Sequence, residues 1–469
     1  MRIEKDLIGE LEIDDNKYFG IHTKRALSNF KISDYKIDKE FLKSFAQVKL
    51  AAAITNEELG FFKKDISKPI IFACNEIIKG KYLDQFPLDP FQGGAGTSLN
   101  MNFNEVISNI ALEYIGKNKG DYKVINPLDH VNLHQSTNDV YPTALKITIL
   151  RLLKTLENEV SLLQEVFQNK EKEFSDIIKL GRTELQDAVP MTLGMEFSAY
   201  AEAISRDRWR IFKARERIKV VNLGGTAIGT GLGASRDYIL RVVENLRKIT
   251  GLNIARAENF VDATQNLDSI VEVFAIIKTY AINLIKISND LRLLSSGPKG
   301  GLGEIILPSV QSGSSIMPGK VNPVILEAVI QTGLRVVSNE SAISTAISMG
   351  NLELNHLLPF IAFASIESLN ILINITKILR EKCISKIKAN EKNCKKHVEN
   401  SNTIATVLVP ILGYKRVEEL LKIGKEKNKT IKEVLVEENV FSLKEVEDLL
   451  NPKRMRKLGY TDDEIKRNT

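Results

Sequence analysis

Apolar positions recur at three- and four-residue steps over most of the chain, and long stretches without Gly or Pro let that rhythm persist. Asp38 can cap a helix through Leu59, with Phe41, Phe45, Val48 and the Leu50–Ala53 run on its apolar face. Helices are also predicted over 67–79 and 104–114. After Pro142 the next proline is Pro190 and the only glycine between is Gly181. That leaves room for a helix of roughly 35 residues through Leu150, Leu153, Leu156 and Leu163. Another helix is predicted over 193–221. Residues 252–296 contain neither breaker, and Ile270, Phe274, Ile277, Ala281, Leu284, Ser288 and Leu291 alternate four- and three-residue steps. This is a bundle seam carrying one small polar residue, and it reads as core. Helices over 324–347 and 358–388 follow, and then short ones over 417–423, 430–438 and 442–450.

Strand signals are weak, with few period-two runs and no βαβ alternation. The pattern predicts an all-α fold, a long-helix bundle core with smaller N-terminal and C-terminal domains. The boundaries are 1–138 for the N-terminal domain, 139–393 for the central bundle and 394–469 for a Lys- and Glu-rich C-terminal domain. Apolar helix faces in excess of one bundle's needs predict that subunits pack together.

Composition narrows the function. Among 469 residues, 65 basic side chains stand against 59 acidic ones, a net charge of +6. The lysines are mixed with glutamates rather than gathered on a face with aromatics, which argues against nucleic acid as a partner. Cys74, Cys383 and Cys394 are too few and too scattered for a disulfide framework, and Cys394-x-x-His397 has no second pair to complete a zinc site. The N-terminus has no apolar signal core, and no apolar run reaches the ~18 residues of a membrane span. A cytoplasmic protein with no membrane partner is expected.

Four polar islands interrupt the helices: Gln92–Ser98, Asp129–Asp139, Gly181–Pro190 and Ser312–Pro323. They are rich in hydroxyls and amides, namely Thr97 and Ser98; Ser136, Thr137 and Asn138; Arg182 and Thr183; and Ser314, Ser315, Lys320 and Asn322. One such island is ordinary capping and turn chemistry. Four that converge would make a pocket of neutral donors with one lysine, suited to a small dicarboxylate. A phosphate-binding loop is excluded because five residues separate Gly313 from Gly319 and Val321 follows Lys320 where a hydroxyl is needed. No Gly-x-Ser-x-Gly elbow supports a serine hydrolase, and no histidine stands near such a serine. The glycine-rich 224–233 stretch is read as a connection.

The stretch Gly313-Ser-Ser-Ile-Met-Pro-Gly-Lys-Val-Asn322 resembles the signature of the aspartase/fumarase superfamily. So do Phe91–Ser98, Gln135–Asp139, Gly181–Pro190, Ala227–Gly231 and Asn289–Pro298. Their wording is closer to aspartase than to fumarase, and they span nearly the whole chain. The resemblance implies reversible deamination of L-aspartate to fumarate and ammonia. A fumarase-type hydratase, or a lyase for a related dicarboxylate, is the alternative. It also implies a homotetramer whose active sites each draw on three subunits.

The resemblance assigns Ser314 as the general base at Cβ. Thr97, Ser136, Thr137 and Ser315 would hold the carboxylate beside that carbon, and Thr183, Lys320 and Asn322 the other one. Asn138 would meet the amino group, and Arg25 would support the pocket. Glu184 stands where relatives have His or Gln, with Glu327 behind it; the two carboxylates would repel and share a proton, with Glu184 against the substrate ammonium, and a surface-pointing or solvent-paired Glu184 is the alternative. No cofactor is required, and a divalent metal enters only as an activator. A helical scaffold without turnover is the remaining alternative, and the intact Ser314, Lys320 and Asn322 argue against it.

Overall fold

The computed structural model describes residues 1–449, 451, 459 and 460, and the fold is predominantly helical. A short antiparallel pair, β1 (Arg2–Lys5) and β2 (Glu10–Ile13), opens the chain. Then come α1 (Ile21–Asn29), α2 (Lys39–Glu58), α3 (Lys64–Ile78), α4 (Thr97–Tyr114) and α5 (Thr137–Glu173). The hairpin β3 (Ile178–Thr183) and β4 (Gln186–Thr192) leads into α6 (Leu193–Arg217). β5 (Val220–Val221) pairs in parallel with β6 (Ala255–Arg256) on either side of α7 (Arg236–Thr250). α8 (Phe260–Gln265) and α9 (Asp268–Leu294) follow. β7 (Ile305–Ile306) pairs with β8 (Lys388–Ala389), and α10 (Val324–Ser348) and α11 (Leu358–Lys382) lie between them in sequence. The C-terminal part holds α12 (Glu391–Asn400), α13 (Val409–Leu412), α14 (Tyr414–Lys427), α15 (Ile431–Glu437) and α16 (Leu443–Leu449).

The chain forms two compact units. The first comprises Met1–Glu157, Trp209–Ala281 and Leu334–Ile373; the second comprises Asn158–Arg208, Ile282–Gly333 and the chain from Asn374. In the first, Phe45 of α2 stacks on Phe103 of α4 with centroids 4.4 Å apart, and both rings are fully buried. Burying each such ring stabilises the fold by about 1.5–3 kcal/mol. Asp38 caps α2 as expected, accepting from the Glu40 and Phe41 N–H groups. The start of α1 is held by two buried carboxylates. Glu105 accepts from the Gly20, His22 and Thr23 N–H groups and the Thr23 hydroxyl, and Glu4 accepts from the Ile21 N–H. In the second unit, Leu180 of β3 joins a core with Val398, Ile404, Leu408, Leu420, Val434 and Leu449, so the C-terminal helices buttress the β3–β4 hairpin.

The structure departs from the sequence reading at five places. The third polar island is a hairpin, because Lys179, Arg182 and Thr183 pair with Met191, Asp187 and Gln186. The helix expected from 104 begins at Thr97, since the tight Gly94–Gly96 turn ends directly on it. The breaker-free 252–296 stretch divides at Asn266, where the backbone turns extended and Asn259 caps a separate short α8. The sequence reading missed α7, whose buried Tyr238, Val242, Val243 and Leu246 trace one helical face. Among the described residues one helical stretch, Leu358–Lys386, which is α11 with the turn after it, is long and apolar enough to cross a membrane, against the expectation that none would be. Its apolarity is spread around Ser365, Ser368 and Asn370 rather than gathered in one run. Since 61% of its most apolar window is buried inside the protein, it is accounted for as a core helix.

Candidate active site

In the first unit a cavity of about 390 Å³ is lined by Thr97, Asn100, Asn132, Gln135, Ser136, Thr137, Thr226 and Ala227, among others. Two helices present their N-terminal ends to it, α4 through Thr97 and α5 through Thr137. Unpaired N–H groups and the macrodipole make such ends favourable to anions. Gly96 is what lets α4 start there. Its φ is +94°, and a Cβ would lie 2.3 Å from the Tyr141 ring, so only glycine fits.

Buried Asp139 fastens two walls of this cavity. Its carboxylate accepts from the Ser136 N–H at 3.0 Å on one side and from the Gly224 and Thr226 N–H groups at 3.1 and 3.0 Å on the other. Burial pushes this carboxyl well above the usual carboxylate range, and the three N–H groups oppose the shift. Pro142 cannot donate to the Asn138 carbonyl, and the Asn222 amide does so instead at 3.0 Å. The Asn138 side chain donates to the Ala227 carbonyl at 2.7 Å, so Asn138 braces the cavity wall rather than lining it.

The Ser312–Pro323 stretch of the second unit is a closed loop. The Asn322 amide donates to the Gly313 carbonyl at 2.5 Å, and a Cβ on Gly313 would meet the Lys320 carbonyl at 2.0 Å. Inside the loop the Ser314 Oγ accepts from the Ile316 N–H at 3.3 Å and the Met317 N–H at 3.0 Å. Ser315 and Lys320 are exposed on it, with Ile316 82% exposed. Glu327 lies in the first turn of α10.

Also in the second unit, Thr183 and Glu184 occupy the tip of the β3–β4 hairpin. Glu184 and Leu185 are its two turn residues, both left-handed with φ of +53° and +62°. This is the backbone of a type I′ turn without the usual Asn-Gly, and it is strained. Arg182, one residue back, donates to the fully buried Glu304, which also contacts His397 at 2.8 Å. In the first unit Arg25 makes a two-pronged ion pair with Asp6 and so anchors α1 to the 6–9 turn. That guanidinium holds the Asp6 carboxyl far below its usual range.

The lyase family's sequence profile matches residues 9–338, and a second one, for the fumarase C C-terminus, matches 404–457. An aspartate ammonia-lyase from Bacillus sp is 46% identical over 98% of both chains, and one from Bacillus subtilis is 45% identical over 99% of this chain and 98% of its own. The chain belongs to the aspartate ammonia-lyase family. Among solved structures, a fumarate lyase:delta crystallin from Brucella melitensis bound to cobalt superposes with a TM-score of 0.94. It is 42% identical, covering 97% of this chain and all of that one.

Within this family member the structure brings Thr97, Ser136 and Thr137 to one cavity, and Ser314, Ser315, Lys320 and Asn322 to one loop. Asn100 and Asn132 line the cavity although the sequence reading gave neither a role. Asn132 lies inside the Asp129–Asp139 island, from which only Ser136, Thr137 and Asn138 were singled out. Among the described residues, no group of three or more His, Cys, Asp or Glu side chains could hold a metal ion.

Proposed function

We propose that this protein catalyses the reversible deamination of L-aspartate to fumarate and ammonia. The observation that carries the reading is the Ser314 Oγ held by two backbone N–H groups in a loop that also bears Lys320. An unaided serine is a weak base, whereas donors aimed at its oxygen favour the alkoxide. Ser314 removes the Cβ proton, giving an enediolate with extra charge on one carboxylate. Thr97, Ser136, Thr137 and Ser315 donate to that carboxylate, and Thr183, Lys320 and Asn322 to the other. Family membership supports the assignment. Two helix N-termini at one cavity fit an anionic substrate.

In this reading Glu184 faces the substrate amino group, with Glu327 behind it, Asn138 bracing the cavity wall through the Ala227 carbonyl and Arg25 supporting through α1. Glu184→Gln then shifts the pH–rate profile or raises the aspartate KM; no change in either removes Glu184 from the site. The active protein is a cytoplasmic homotetramer whose sites combine residues of different subunits. The chemistry calls for no cofactor. A divalent metal acts as an activator only, by analogy with the cobalt-bound Brucella melitensis relative.

The second reading, a hydratase acting on malate, draws on the fumarase C C-terminus match. Incubating purified protein with aspartate and, separately, with malate while following fumarate absorbance decides between them. Fumarate from aspartate is expected; fumarate from malate alone overturns the first reading.

A further inference from the structure

One ionisable side chain beside the cavity has no part in the chemistry above. Lys49 of α2 is 1% exposed, and its Nζ donates to the Asn132 Oδ1 at 3.0 Å. The same oxygen accepts from the Asn100 and Asn104 amides at 3.1 and 3.2 Å, while the Asn132 amide donates to the Gln135 carbonyl at 3.2 Å. An ammonium has donors and no acceptor, so the Asn132 atom facing it must be the oxygen. Asn100 and Asn104 must then turn their NH₂ groups toward that oxygen. Their own side-chain oxygens, and the Gln135 Oε1, are buried without a donor. A neutral amine could accept as well as donate, and this ordering would be lost. Asn100, Asn132 and Gln135 all line the cavity.

We propose that Lys49 is a positioning residue for the reaction: in its charged form it fixes the amide orientations of Asn132, Asn100 and Asn104 and places a positive charge behind the cavity that takes the substrate's carboxylate. This rests on reading the cavity as part of a dicarboxylate site. The groups acting on Lys49 are Asp139 at the start of α5, which raises its proton affinity, and Cys74 of α3. Tyr238 of α7 feels the Asp139 charge, and the His134 ring lies 5.1 Å from Tyr238. Burial outweighs these neighbours and draws the Lys49 ammonium down toward neutrality. A bound dianion restores its proton, so binding takes up protons.

The test is calorimetric titration of the wild-type protein with succinate, an unreactive dicarboxylate, at pH 8 in two buffers of different ionisation enthalpy. Proton uptake is expected. Lys49→Met should remove most of that uptake, weaken succinate binding at least tenfold and raise the aspartate KM more than it lowers kcat. Lys49→Gln serves the same purpose should the Met variant not fold. No uptake by wild type overturns the proposal, as does a folded Lys49→Met or Lys49→Gln variant with wild-type uptake and affinity. An inactive wild type that still takes up protons with succinate would sink the aspartate reading and leave this one standing.

Discussion

The Met317 backbone N–H points its hydrogen at the Ser314 Oγ across 3.0 Å, three residues along one tight loop. A hydroxyl that receives backbone donors is prepared to lose its own proton, because negative charge on the oxygen is met by dipoles already in place. Ser314→Ala should therefore lower kcat about 10²–10⁴-fold. The thermal unfolding midpoint should stay close to wild type, since the side chain is only partly buried. Fumarate release from aspartate measures the first and a melting curve the second.

Gly96→Ala should destabilise the first unit by about 2 kcal/mol or more, because it combines a disfavoured positive φ with a clash against a packed ring. The Tyr141 ring is buried and has little room to retreat. Chemical denaturation compares the two proteins, and the cavity bounded by Thr97 should lose substrate affinity in parallel.

Buried Glu105 has its pKa pushed up to about 7, chiefly by burial, while its hydrogen bonds from Thr23, Gly20 and His22 pull the other way. A carboxyl whose folded pKa lies above its unfolded value of 4.5 favours folding most at low pH. Its contribution is full below 4.5, declines as pH rises through about 7, and is flat above that. The decline amounts to something on the order of 3 kcal/mol. Stability measured between those pH values should have a shallower slope in Glu105→Gln, whatever the absolute cost of the replacement.

Leu185 is 72% exposed and sits at a left-handed turn position where glycine is preferred. Leu185→Gly should therefore stabilise the second unit by about 1 kcal/mol, roughly the cost of a left-handed conformation for a residue with a side chain. Denaturant midpoints would show the gain, and a loss of stability would contradict the strained-turn description.

Much of this was readable in the chain. The absence of breakers after Pro142 foretold α5, which runs for 37 residues, and the 270–291 seam foretold the buried face of α9. The β3–β4 hairpin was not legible, because its turn carries Glu184-Leu185 instead of Asn-Gly. The role of Asn132 was not legible either. Its oxygen gathers Lys49 from 83 residues away and Asn100 from 32, and no local pattern announces such a meeting. The Gly313–Asn322 contact that closes the Ser312–Pro323 loop was not read in advance, because Asn322 was assigned to a substrate carboxylate rather than to the loop's own backbone.

The doubly shared grip of Asp139 has a geometric corollary. Because a single acid clasps both the α5 entrance and the 224–226 crossing, the spacing of these two walls is set by a residue that does not itself line the chamber. A change at Asp139 would therefore shift one wall against the other without altering any side chain of the lining.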